Sequence, residues 1–264
     1  MDVGEGWRSD GGSARQTAGV TATQLVIVLV AVIIGSVAKA VTGMGLPVIA
    51  IPIAALFVDI DTAVVVIAFP NVLANAFLAF RERAHFHDTR DLPTLAVAGV
   101  IGAVAGTFLF VSIPETPLIV AVIVAIFGYV ALFFLHPDLR VGPHRSKRLA
   151  PPVGLVAGGF QGAIGISGPI VGSWIHSYRL QRGAHILSVT TLFMVTGFAQ
   201  LVVLIGHGEF AGRVPATLLA CIPVLGSIPL GTRLRDRVSA RGFDLAIVGV
   251  LSVSGAALAI ETFA

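Results

Sequence analysis

The chain has 264 residues, of which 56% are hydrophobic and 12% charged, with a mean hydropathy of +0.94. A soluble domain carries about 25% charged residues, so this composition excludes an ordinary soluble fold and predicts one membrane domain filling most of the chain. The net charge of +3 does not indicate nucleic acid, because the basic residues occupy short gaps between apolar blocks, where the positive-inside rule puts them.

Residues 1–22 are polar, rich in Gly, Ser and Thr, and carry Asp2, Glu5, Arg8, Asp10 and Arg15. They predict a disordered tail rather than a signal peptide, which needs a basic start and an apolar core. Residues 24–57 are apolar but broken at Thr42-Gly43-Met44-Gly45-Leu46-Pro47. Three uninterrupted apolar segments follow, at 62–80, 93–112 and 116–135, each long enough to span a bilayer. Arg140, Arg145, Lys147 and Arg148 then lead into a second broken stretch, 151–178, interrupted at Gly165-Ile166-Ser167-Gly168-Pro169. Three more spans are expected at 184–206, 213–231 and 242–260.

The two breaks share one register. Setting Pro47 against Pro169 gives an offset of 122 residues. Gly43 then falls on Gly165, Gly45 on Ser167, and Lys39 on Gln161. The chain reads as a tail at 1–22, a first membrane repeat at 23–140 and a second at 141–264. Each repeat has a broken element followed by three helices. Paired interruptions at matching positions of two halves mark the binding site of many transporters.

Thirteen of the 17 Lys and Arg lie in four groups, at 81–90, 140–148, 179–182 and 233–241. Eight full spans would divide these groups between the two sides of the membrane. They share one side if each broken element is a re-entrant hairpin. The expected fold is therefore all-α and polytopic, with two inverted repeats of one re-entrant helical hairpin plus three transmembrane helices, and with both termini outside. Eight full spans remain the competing topology.

Irregular backbone at membrane depth persists only where protein or a wet cavity covers it. Gly43, Gly45, Gly165 and Gly168 permit a sharp turn, and Pro47 and Pro169 suit the first turn of a new helix. Each break would start a half-helix whose N-terminal N–H groups favour an anion. Lys39 lies one turn before Gly43, and a cation at that depth is a functional candidate. Gln161, its counterpart, offers a neutral donor. Asn71 and Asn75 share one face of the span 62–80, and Ser167 sits in the second break. Ser188, Thr190, Thr191, Thr196 and Gln200 occupy the matching helix, although Ser and Thr can also bond to their own backbone. The carboxylates lie in tails or near segment ends, leaving no obvious proton carrier in the membrane. His85 and His87 read as solvated, and His176, Tyr178, His185 and His207 as interfacial. No nucleophile–base arrangement stands out. Cys221 alone builds neither a disulfide framework nor a metal site. No catalytic residue, metal or cofactor is expected.

The segments Gly-Ser-Val-Ala-Lys-Ala-Val-Thr-Gly-Met-Gly-Leu-Pro-Val-Ile at 35–49 and Gly-Gly-Phe-Gln-Gly-Ala-Ile-Gly-Ile-Ser-Gly-Pro-Ile at 158–170, with the helix 186–203, resemble the sulfite exporter TauE/SafE family. The resemblance covers about 24–262. It departs from the usual Gly-Gly pair, replaced here by Gly45-Leu46 and Ser167-Gly168. It implies a multi-pass transporter of the inner (plasma) membrane, exporting sulfite, a sulfonate or a related organic anion. Its partners would be a small anionic solute and membrane lipid, not nucleic acid, with a homo-oligomer left open. An anion channel and a non-catalytic membrane subunit are the alternatives.

Overall fold

The computed structural model describes residues 21–42, 45–135, 140–234 and 240–263. The expected tail at 1–22 lies almost wholly outside the described residues. Within them the chain forms α1 (Ala22–Thr42), α2 (Leu46–Ala55), α3 (Ile60–Arg81), a 3-10 turn (Arg83–Asp88), α4 (Leu92–Ser112) and α5 (Glu115–Leu135). It continues through α6 (Pro143–Ile164), α7 (Gly168–Ser177), α8 (Arg182–Gly206), α9 (Val214–Leu234) and α10 (Ala240–Phe263). The protein is an all-helical polytopic membrane protein, with no strand among the described residues. Helices α1 as far as Lys39, α3, α4 and α8 are each long and apolar enough to cross a bilayer. Val97, Ile101, Phe198, Val202, Ile205 and Ile222 are each more than half exposed, as lipid-facing side chains would be.

The 122-residue offset persists in the helices. α2 and α7 are both 10 residues long and start 122 residues apart. α4 and α9 are both 21 residues long and start 122 residues apart. The broken stretches differ from the sequence expectation in one respect. Their first arms are full-length helices of 21 and 22 residues, and only the second arms are short. α6 begins at Pro143, eight residues before the expected boundary, through a polar turn closed by a Ser146 Oγ–H bond to the Pro143 carbonyl at 2.9 Å. Proline in the first turn costs no hydrogen bond, so the helix extends through the basic segment.

Three contacts gather one face. Arg90 donates to the Val141 carbonyl at 3.1 Å, the Val141 N–H to the Ser177 carbonyl at 3.4 Å, and Tyr178 Oη to Asp91 Oδ2 at 3.3 Å. The starts of α4 and α6 and the end of α7 therefore lie together, and the path from Pro143 to Ser177 leaves this face and returns to it. At the opposite face the Ile60 N–H donates to Glu115 Oε1 at 3.0 Å, and the Phe108 and His207 rings meet edge to face at 5.4 Å. α3 and α8 run antiparallel, since Gly197 packs on Val72 and Gly183 on His85.

Glycines set the closest helix pair. A Cβ added to Gly158 of α6 would fall on the Gly99 carbonyl of α4, and one at Gly162 on that of Ala103. Gly102 meets the Leu155 carbonyl in the same way. Small residues four apart let membrane helices approach to backbone contact. The matching pair, α1 with α9, holds Val32, Ser36, Cys221 and Val224 at the positions that correspond to Gly154, Gly158, Gly99 and Gly102, all of them buried.

Candidate functional site

Two devices end one helix and start the next. Gly45 has φ 121° and precedes α2, and its carbonyl accepts the Ile49 N–H at 3.0 Å. Gly165 has φ 71° and closes α6 by donating to the Gln161 carbonyl at 2.9 Å. Both conformations favour glycine. Ser167 precedes α7, its carbonyl accepting from Ile170 at 3.1 Å and Val171 at 3.0 Å. Pro47 and Pro169 each sit in the first turn of the short helix. Gly43 lies outside the described residues, so its expected turn has no structural account.

Gly168 differs from its expected role. It has no left-handed φ, and the constraint there is space, because a Cβ would come within 2.7 Å of Val48 Cγ2. A Cβ on Gly165 would likewise come within 2.7 Å of Ile51 Cδ1. Val48 and Ile51 belong to α2, so the short arm of one break rests against the turn of the other.

A charged cluster forms beside the first break. Lys39, in the last turn of α1, is 2% exposed. Its Nζ donates to Asn75 Oδ1 at 2.6 Å and to Asn71 Oδ1 at 3.4 Å. Asn75 Nδ2 donates in turn to the Asn71 carbonyl at 2.9 Å and to Asn71 Oδ1 at 3.1 Å. The four-residue spacing on α3 aligns the two amides. The Phe193 ring of α8 closes the site, its centroid 5.5 Å from Nζ. Taking an ammonium out of water costs several kcal/mol. Two amide oxygens and a ring face offset part of that here.

The second break carries a neutral cluster. Ser167 Oγ donates to Gln161 Oε1 at 2.9 Å, and Gln161 Nε2 to Gln200 Oε1 at 3.2 Å. Gln200 Nε2 donates to the Gly162 carbonyl at 3.3 Å. All three side chains are buried. A cavity of about 10 Å³ adjoins Ser167, bordered by Leu95, Ala157, Val171, Leu192 and Thr196, with room for about one water.

The structure thus joins Lys39 with Asn71 and Asn75, joins Gln161 with Ser167, and sets Gly165 and Gly168 against α2. Sequence reasoning passed over Phe193 and gave Gln200 no particular weight. The 122-residue offset carried the missing signal, since Phe193 is the counterpart of Asn71. Ser188, Thr190 and Thr196 instead bond to carbonyls of their own helix at 2.7 Å.

No curated protein and no solved structure matches the chain. A family model described as Sulfite exporter TauE/SafE matches residues 27–258. That span holds both breaks and every residue of the two polar clusters, and it covers most of the chain, which therefore belongs to the sulfite exporter TauE/SafE family of membrane transporters.

Proposed function

We propose that the protein is an alternating-access transporter moving a small anion outward across the inner membrane, the anion being sulfite, a sulfonate or a related organic anion. One observation carries the reading: a fully buried lysine, Lys39, held by amides at the point where a membrane helix breaks. A neutral amide network marks the matching break. In this reading Lys39, Asn71, Asn75, Gln161 and Ser167 supply side-chain donors. Gly43, Gly45, Gly165 and Gly168 bring backbone N–H groups and helix N-termini close to the solute. An inside-negative potential favours anion exit by about 2.3 kcal/mol per charge per 100 mV.

The two halves are read as inverted repeats, 23–140 and 141–264, following the tail at 1–22. The antiparallel run of α3 and α8 and the return of α7 to Val141 support this arrangement. The face holding Arg81, Arg83, Arg90, Arg140, Arg145, Lys147 and Arg148 is then cytoplasmic, and both termini are outside. Reporters active on only one side of the membrane, fused at each terminus, test this; activity on the inside would overturn the topology.

Sulfite efflux from proteoliposomes tests the site. Lys39→Ala is expected to slow it by about 10- to 100-fold, the worth of a hydrogen bond to a charged group. Ser167→Ala is expected to slow it by about 2- to 10-fold, and both variants should remain monodisperse. Wild-type rates in both would remove the site assignment. Ohmic single-channel current in place of saturable exchange would make the protein a channel.

A further inference from the structure

Protonated, Lys39 is an ammonium with no counter-ion among the described residues. Asn75 Nδ2 is committed to the Asn71 carbonyl, which turns Asn75 Oδ1 toward Nζ. Both partners of Nζ are therefore acceptors, which suits a group with three donors. The 2.6 Å bond is as short as charge-assisted bonds, and the Phe193 ring lies within cation–π reach. No carboxylate pairs with Lys39 among the described residues. The corresponding position in the second repeat is Gln161, which is neutral. Helix ends add partial charges but no ionic one. With Lys39 protonated, the two breaks together hold one positive charge.

We infer that this uncompensated charge makes the carrier selective for singly charged anions and puts the voltage-sensitive step on the empty carrier. The inference rests on the transport reading above and extends it to valence. With a monovalent anion bound, the site is neutral and crosses the membrane without sensing the potential. After release outside, the carrier holds one positive charge, and an inside-negative potential drives its return. One negative charge leaves per cycle, although the anion itself moves in a neutral complex. A divalent anion would leave the loaded site with one uncompensated negative charge in a buried environment, which is costly.

The test separates exchange from net efflux. Full-length protein in liposomes is held at 0 or −100 mV with potassium and valinomycin. Labelled methanesulfonate serves as the monovalent probe and labelled sulfate as the divalent one. Exchange, with anion on both sides, uses only loaded crossings, whereas net efflux also requires the empty return. Methanesulfonate exchange is expected to change less than about 2-fold with voltage. Net efflux should rise, with an upper bound of about 50-fold per 100 mV for one full charge. Sulfate exchange should be slower and voltage-sensitive. In Lys39→Gln, methanesulfonate exchange should become voltage-sensitive. If that variant does not fold, the wild-type comparison decides by itself. Wild-type methanesulfonate exchange as voltage-sensitive as net efflux would overturn the charge assignment while leaving transport intact. Voltage-insensitive net efflux would do the same. Absence of exchange for both anions while sulfite efflux persists would overturn this inference alone, and absence of sulfite efflux as well would overturn the transport reading.

Discussion

The two breaks share a register and a proline-started ten-residue second arm, and they hold different chemistry. At the first, an ammonium meets two asparagines and a phenyl ring. At the second, two glutamines and a serine satisfy one another without any ionic charge. The seams behind them differ too. α6 lies against α4 through glycines in backbone contact, whereas α1 faces α9 with valine, serine and cysteine at the matching positions. The hairpin with the neutral cluster has the closer seam, and the hairpin with Lys39 has the bulkier one. Glycine-to-backbone contact permits little sliding, because a shift of one helix drives carbonyls into Cα atoms. The second hairpin's long arm thus meets its neighbour backbone to backbone, whereas side chains separate the first from its own.

Four substitutions, one of them combined with Lys39→Met, can break or sharpen that contrast. Gly158→Ala forces a Cβ onto the Gly99 carbonyl and is expected to cost about 3 kcal/mol or more, read as loss of the monodisperse peak and a lower melting temperature. Asn75→Leu strips Lys39 of its shortest acceptor and should cost about 3 kcal/mol. Adding Lys39→Met to it should recover most of that loss in a double-mutant cycle. Gln200→Ala leaves the Gln161 amide without its acceptor and should cost about 1–2 kcal/mol in thermal unfolding, less than the charged cluster does. Ser36→Ala lies at the counterpart of Gly158 but removes only a buried hydroxyl with no hydrogen bond among the described residues. Its effect should stay within about 0.5 kcal/mol. Equal penalties at Gly158 and Ser36 would end the claim that the seams differ.

Much of this was legible from residue order. The apolar blocks at 62–80, 93–112, 116–135, 184–206 and 242–260 each fall within one helix, and 213–231 overruns its helix by one residue, because span length is set by bilayer thickness and needs no tertiary knowledge. The breaks were legible because glycine and proline act locally. Lys39 was legible by its depth, and Asn71 and Asn75 separately by their helical spacing. Their hydrogen bonds were not, because which face of α1 meets α3 depends on packing with α9 and α8. Phe193 looked like ordinary apolar helix until α8 was laid beside α3. Gly168 was read as a turn residue and proved to be a space requirement, a distinction only the neighbouring Val48 could make. The start of α6 at Pro143 was missed because a basic turn carries no hydropathy signal.

The helix pairing has a consequence for synthesis at the ribosome. Each long arm packs on a helix of the opposite half, α1 on α9 and α6 on α4. Neither half can complete its interior before the other is made. Phe193 follows Lys39 by 154 residues, a delay of roughly 8 to 30 s at bacterial-to-eukaryotic translation speeds. During that interval the only described partners for the ammonium are Asn71 and Asn75, which emerge within its own half. The asparagine pair thus lets the first half satisfy Lys39 from its own residues before Phe193 is made.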